Sequence, residues 1–377
     1  MRPTIPVSNP KANYAAHKEE IDDAIHAVLD GGQYVMGDAV EAFEEQFAAY
    51  IGVRYAIGVA SGTDAIEMIL RALGIGEGDE VLTVPNTATA TVAPIAMVGA
   101  TPRFTGVESR AMTMDPNQAW ETNSHTKAVI PVHLYGNACS KMALIKQRSD
   151  FHGMHLIEDA CQAHGSESGG KKVGSFGIAG AFSFYPTKNL SCFGDGGAIT
   201  TDNHILASKL RSMRFYDWDS NKSAQSVCGQ SRLDSMQAAV LSVKLKYLDA
   251  ENDRRRAIAT MYTDALKDLV VGSPRHNVGN WHVECLPLRQ GRGHVFHQFV
   301  LRSYKASDFR KHLRESGVET ACHYPTMVSN QFAYKQNNRF DDWASRLVSL
   351  PMYPELSDTE IEHVIESVLS FKTSEDR

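Results

Sequence analysis

A single lysine, Lys188, sits in the stretch GAFSFYPTKNLSCFGDGGAITT (180–201), behind an aromatic run and ahead of a cluster of glycines. Taken alone it reads as a solvated surface charge. Its flanks argue otherwise. Aromatic and glycine residues pack backbone tightly, and a lysine desolvated in such a setting has a lowered pKa and can form a Schiff base with an aldehyde. Pro186 favours an extended or turned entry to the lysine rather than a helix.

Two upstream junctions carry complementary groups. In VASGTDAIEMIL a strand-like run ends at Ser61, Gly62 and Thr63, and a helix begins at once. Unpaired N–H groups and the positive end of a helix dipole favour an anion there, and Gly62 lets a phosphate reach the backbone. The same residues would equally serve as an ordinary helix cap. In HLIEDACQAHG an apolar run delivers Glu158 and Asp159 at its carboxyl end, where open α/β sheets bind ligands. Strand side chains alternate, so a tandem pair of acids favours at least one pointing into the crevice; the plainer alternative is one acid capping a turn and the other solvated. Cys161, Gln162 and His164 follow as further pocket groups or as loop residues.

A lysine for an aldehyde, an anion cradle, and a carboxylate to hold a pyridine nitrogen protonated are what pyridoxal 5'-phosphate requires. Gly62 with Thr63, then Asp159, then Lys188 supply them in order, and Ser183 can add a hydroxyl to the phosphate or be a plain strand residue. Competing sites lack motifs: LGIGEGDE has no third glycine in register and precedes a strand, no P-loop is present, and neither G-x-S-x-G nor H-E-x-x-H occurs. His133, inside the apolar PVHLYG, reads as a hydrogen-bonded core residue. Six scattered cysteines without a C-x-x-C pair suggest neither a metal site nor a disulfide framework, and they fit a reducing cytoplasm.

The elements that must position these groups follow a regular alternation. Residues 14–30 and DAVEAFEEQFAAY read as amphipathic helices; RYAIGV, EVLTV, KAVIPVHL, HLIEDA, GAFSF and GAITT read as strands, with helical runs TDAIEMILRAL and TATATVAPIAMVG among them. This predicts an α/β domain with a large, mostly parallel mixed sheet covered by helices on both faces. Helical material dominates about 203–270. Turn residues in VGSPRHNVGN then lead to the strand HVFHQFVLRS, the helix SDFRKHLRESG, the strand VETACHYP and two further helices, a smaller α+β unit. The expected division is 1–250 for the large domain and 251–377 for the small one.

At 377 residues the chain has room for about two such cores. With 43% hydrophobic and 22% charged residues, a net charge of −6 and a pI near 6.2, it has the balance of a globular protein and no electrostatic pull toward nucleic acid or an acidic membrane. The first residues lack the apolar core of a signal peptide, and no window approaches the roughly 18–20 apolar residues of a membrane span.

SFYPTKNL, LIEDACQAHGS, SRLDSMQAAVLSVKL and SLPMYPELSD together resemble the DegT/StrS type of nucleotide-sugar aminotransferase, which has the aspartate-aminotransferase fold (fold type I of the pyridoxal-phosphate enzymes). The likeness runs from IPVSNPKANY nearly to the end. It implies that Lys188 forms the Schiff base and shuttles the proton, that Asp159 pairs with the pyridine nitrogen, and that Gln162 sits by the cofactor hydroxyl. Gly62, Thr63 and Ser183 would hold the phosphate. It further implies a homodimer with shared active sites, L-glutamate as amino donor and a nucleotide-linked keto-sugar as acceptor. Three departures stand out: Gln230 in CGQSR replaces an asparagine that reaches the neighbouring subunit's phosphate, Ala88 replaces an aromatic ring over the cofactor, and Ser329 replaces a substrate-facing histidine. Tyr185, His323 and Tyr324 are further candidates for substrate contact. FYPTKN with SRLD is similar to enzymes acting at C3 of a 3-keto-6-deoxyhexose; amination at C4, a lyase, or a regulator on the same scaffold are the alternatives.

Overall fold

The computed structural model describes residues 4–118, 120–269, 283–285, 291–334 and 343–371. α1 (Pro10–Ala16) starts with proline in its first turn and an Asn9 cap, and α2 (Lys18–Gly31) ends at Gly32 in the left-handed conformation. One helix was expected here. His17 divides it: its backbone leaves helical geometry, and its ring bonds the Glu251 carboxylate at 2.9 Å. α3 (Asp38–Ile51) buries Val40, Phe43 and Phe47 on one face, as its spacing predicts.

The alternating region then unfolds in order: β1 (Tyr55–Val59), α4 (Gly62–Ala72), β2 (Glu80–Thr83), α5 (Thr89–Met97), β3 (Thr101–Phe104), β4 (Thr126–Val129), α6 (Met142–Phe151) and β5 (His155–Asp159). A small hairpin of β6 (Glu167–Ser168) and β7 (Lys171–Lys172) precedes β8 (Ala179–Ser183) and β9 (Gly197–Thr201). Seven strands form one sheet in the order β1-β9-β8-β5-β4-β2-β3. β9 runs antiparallel to both neighbours, while β8, β5, β4, β2 and β3 pair in parallel. Helices cover both faces over two apolar cores, one around Ile57, Ile69 and Ile157, the other around Phe43, Phe182 and Phe184. This is the expected mixed, mostly parallel sheet.

Helices α7 (His204–Met213), α8 (Ser235–Leu245) and α9 (Leu248–Ala265) fill the region expected to be helical. Between α7 and α8 the chain instead makes an extended loop, with bridges pairing Phe215 with Gln230 and Trp218 with Ala224. α9 joins two cores: Leu248 packs with the large sheet, whereas Ile258 and Tyr262 pack with Phe299, Phe309 and Val348. We propose that the division near residue 250 reflects these two cores sharing one helix.

The second unit holds the antiparallel sheet of β10 (Val283–Cys285), β11 (Phe299–Ser303) and β12 (Leu347–Leu350), with α10 (Ala306–Glu315) and α11 (Asp358–Leu369). VETACHYP is not a strand. It makes one bridge at Val318 to Ile5 and one at Ala321 to Ser349, and Pro325 has no N–H with which to extend a ladder. After residue 318 the described residues contain one α-helix, α11, rather than two. The VGSPRHNVGN turn lies outside the described residues.

The glycines after Lys188 act through size. Gly194, Gly196 and Gly197 all lie outside the left-handed region, so none of them serves a turn that needs a positive φ. A Cβ on Gly197 would fall 2.4 Å from the Ser61 carbonyl carbon and 2.9 Å from the Gly62 nitrogen. Only glycine lets β9 lie against the strand-to-helix junction. Gly197→Ala should therefore destabilise the fold by about 1–3 kcal/mol through overpacking. Gly194→Ala, whose Cβ would meet only the Gln237 side chain at 3.5 Å, should stay within about 0.5 kcal/mol. Denaturant unfolding of both variants checks this, and equal losses would refute it.

Candidate active site

The carboxyl ends of the parallel strands converge on one cavity of about 380 Å³. Gly62 and Thr63 after β1, Ala88 after β2, Val132 after β4, Asp159 at the end of β5 and Ser183 at the end of β8 all line it. β9 reverses direction, so the loop joining β8 to β9 returns along this same edge, bringing Tyr185, Thr187 and Lys188 into the lining. His297, Gln298, His323 and Tyr324 close it from the second unit's side of the sequence.

Ser61 caps α4 by accepting the Asp64 N–H at 3.1 Å. Among the described residues, no acceptor takes the N–H groups of Gly62 and Thr63, the first two of the helix. A Cβ on Gly62 would meet Cys161 Sγ at 2.6 Å and Ser183 Cβ at 2.9 Å. The junction thus offers free donors at a positive helix end, held tightly against Ser183. Ser231 braces it from the loop before α8, donating to Asp64 at 2.7 Å and accepting the Ala60 N–H at 2.9 Å.

The tandem acids part company. Asp159 faces the cavity, accepting from Thr91 Oγ1 at 2.7 Å and from the Cys161 N–H at 3.1 Å. Thr87 extends this chain to Thr91 at 2.6 Å. Glu158 points the other way, fully buried, and accepts from the N–H groups of Gly174, Phe176 and Gly177. It also bonds His133 Nε2 at 3.1 Å, while His133 Nδ1 accepts the Cys139 N–H. His133 is therefore a core residue, as expected. Gln162 is locked from both sides, its oxygen accepting the Tyr135 N–H at 2.6 Å and its nitrogen donating to the Tyr324 hydroxyl at 2.9 Å.

Lys188 Nζ makes no hydrogen bond or ion pair among the described residues. Burial lowers its pKa, an effect opposed by the neighbouring Cys161 and Asp159. The histidines nearby are driven neutral. Burial, reinforced by the Lys188 charge, takes His164 down to about 3 and His323 to about 4, and holds His297 well below its ordinary value. His164 is not in the lining; it is buried between Phe182 and Phe184, close to the Ser183 backbone, and among the described residues neither ring nitrogen has a partner within hydrogen-bond geometry. Cys192 pins the lysine loop, its single S–H lying within reach of the carbonyls of Phe184 and Gly194 at 3.0 and 3.2 Å.

Nine of the candidates share this lining: Gly62, Thr63, Asp159, Gln162, Ser183, Tyr185, Lys188, His323 and Tyr324. Two do not. Gln230 is exposed outside its own chain's cavity, and Ser329 is buried in a short turn whose Val328 N–H bonds the Pro85 carbonyl. Thr87, Thr91, His297 and Gln298 went unnoticed in the sequence. The threonines alternate along TATAT, but nothing local marks Asp159 as their partner.

The free helix-end donors, the glycine cradle, the isolated amine and the fixed carboxylate fit pyridoxal phosphate. Residues 15–369 match the model of the DegT/DnrJ/EryC1/StrS aminotransferase family. The chain belongs to that family. It is similar to the dTDP-3-amino-3,4,6-trideoxy-alpha-D-glucose transaminase of Streptomyces venezuelae, with 38% identity over 97% of this chain and 96% of the relative. It is also 40% identical to the dTDP-3-amino-3,6-dideoxy-alpha-D-galactopyranose transaminase of Aneurinibacillus thermoaerophilus, over 93% of this chain and 95% of the relative. Among solved structures, S. venezuelae DesV in complex with a ketimine intermediate superposes with a TM-score of 0.90 and 37% identity, covering 97% of this chain and 98% of that one. The chain is an aminotransferase dependent on pyridoxal phosphate. No helix among the described residues is long and apolar enough to cross a membrane.

The His164 environment gives a pH signature. Its folded-state pKa lies below the ordinary 6.5, so the unfolded chain binds the proton first. Stability is present above pH 6.5 and is lost as pH falls toward 3, with a slope of up to about 1.4 kcal/mol per pH unit. His164→Phe should flatten the decline of unfolding free energy between pH 6 and pH 4 by nearly one proton. An unchanged slope in denaturant titrations at the two pH values would contradict it.

Proposed function

We propose that this aminotransferase moves an amino group from L-glutamate to a nucleotide-linked keto-sugar, at C3 of a 3-keto-6-deoxyhexose. The observation carrying the chemistry is Lys188: a half-buried amine with no ion pair among the described residues, in one cavity with Asp159 and the free N–H groups of α4. The two similar transaminases cited above, whose names place the amine at C3, support the position. The nucleotide-sugar class rests on the same relatives.

Pyridoxal phosphate supplies an aldehyde that captures amines and a ring that accepts an electron pair. Every other part belongs to this chain. Gly62 and Thr63 would donate their backbone N–H groups to the phosphate, and Ser183 would add its hydroxyl. Asp159, held by Thr91 and the Cys161 N–H, would keep the pyridine nitrogen protonated. Gln162 sits by the ring hydroxyl. With the cofactor bound, Lys188 Nζ would act as the base that takes the proton from the carbon bearing the donor's amino group, and as the acid that returns a proton to the sugar carbon. A pKa lowered by burial leaves more of this amine unprotonated and able to act as base. The donor leaves as a 2-oxo acid.

Tyr185, His323 and Tyr324 form the sugar-facing part of the lining. His323 is neutral and hydrogen-bonded through Nδ1 to Ser349 at 2.8 Å, which leaves Nε2 for a sugar hydroxyl. Ser329, buried away from the lining, is not assigned a substrate contact. Gln230, exposed beyond its own cavity, fits a homodimer in which each subunit lends that amide to its neighbour's phosphate.

Lys188→Ala should abolish both the visible absorbance of the bound cofactor and turnover; retained turnover would sink the assignment. The amine-loaded enzyme, prepared with L-glutamate, is then offered 3-keto and 4-keto nucleotide sugars. The 3-keto compounds should restore the original absorbance. Restoration by 4-keto sugars alone would overturn the C3 reading while leaving the aminotransferase intact.

A further inference from the structure

The residue following Lys188 is clamped by groups that the reaction itself does not use. Asn189 is buried, and its amide nitrogen donates twice, to Asn252 Oδ1 at 2.8 Å and to the Val295 carbonyl at 2.9 Å. With both donors directed there, its oxygen is what faces His297 Nδ1 at 3.3 Å. A carboxamide oxygen only accepts, so Nδ1 carries the His297 proton and Nε2 is left as an acceptor. Asn252, on α9, passes the chain on by donating to the His164 carbonyl at 2.8 Å. On the other side of the lysine, its own N–H donates to the Tyr185 carbonyl at 2.8 Å. The lysine loop, α9, the segment before β11 and the turn after β5 are therefore tied together at one buried amide.

We propose that His297 is a positioning residue for Lys188, fixing through Asn189 the backbone from which the lysine side chain reaches the cavity. This rests on the reading of Lys188 as the reacting amine. His297 lines the cavity, so the competing explanation is that its Nε2 touches the bound molecules directly. The two roles use different nitrogens, and two substitutions separate them. His297→Asn keeps a donor near the place of Nδ1 and gives up Nε2. His297→Gln keeps a polar atom near the place of Nε2 and gives up the donor to Asn189.

The experiment compares both variants with the parent as holoenzymes, by steady-state kinetics and by visible circular dichroism of the bound cofactor, which reads its fixed orientation. Displacement of a reacting group costs roughly tenfold to a hundredfold in rate, so H297Q should lose that much kcat with both KM values nearly unchanged, and its visible ellipticity per cofactor should fall. H297N should keep the parent kcat and ellipticity. The proposal is overturned by an H297Q indistinguishable from the parent, or by an H297N that loses as much as H297Q, the pattern of a direct Nε2 contact. Should H297Q not fold, H297N alone decides: parent-like behaviour supports the positioning role and a tenfold loss refutes it. Failure of the underlying reading is seen separately, as turnover by Lys188→Ala.

Discussion

The structure depends on partly desolvating one lysine amine without giving it an ion partner among the described residues. Burial disfavours the ammonium form, and the usual remedy would be an adjacent carboxylate that neutralises the charge and removes the nucleophile from use. Here Asp159 lies in the same cavity, but its oxygens are engaged by Thr91 and the Cys161 N–H rather than by Lys188. The amine is left unbonded and its pKa lowered. A group in that condition persists only if the backbone on both sides of it is fixed. Cys192, Asn189 and the close approach of Gly197 provide that fixing.

Sheet topology explains why these groups meet. Parallel strands end at one edge, so β1, β5 and β8 deliver Gly62, Asp159 and Ser183 to the same crevice with no further arrangement. A further parallel strand would have needed a crossover running back to the opposite edge. The antiparallel β9 needs only a return along the same edge, and Lys188 sits on that return. β9 lies between β8 and β1, so its first residue must pass directly beneath the Ser61–Gly62 junction. The glycine at 197 and the cradle glycine at 62 are two sides of one close contact.

What the sequence made legible was what repeats locally or changes chemical type abruptly. Alternating strand and helix patterns gave the sheet, and the tandem acids divided as strand alternation requires, Asp159 into the cavity and Glu158 into the core. Groups whose meaning comes from distant partners stayed hidden. Thr91 meets Asp159 across 68 residues, and Asn189 meets Val295 across 106, so neither contact leaves a period. Tight packing around the glycines of GDGG was legible from their type, but not that Gly197 would lie against Ser61 and Gly62, which are distant in the sequence. VETACHYP has β-forming composition, yet it yields only bridges, since Pro325 cannot continue a ladder and His323 and Tyr324 line the cavity instead.

The electrostatics of the cavity select how a ligand sits in it. The charged side chains in the lining are Lys188, Asp159 and Asp195, and its histidines, His297 and His323, are held neutral by burial and by the lysine. Protonated histidines would spread positive potential over the whole wall and let an anion bind in several ways. With them neutral, positive potential is concentrated at the free end of α4, and the negative potential at the carboxylates. A molecule carrying a phosphate at one end and a protonated ring nitrogen at the other then has one favourable sense of insertion, phosphate toward α4 and nitrogen toward Asp159. The same desolvation that lowers the Lys188 pKa thus also holds the histidines around it neutral, and orientation and reactivity share one physical cause.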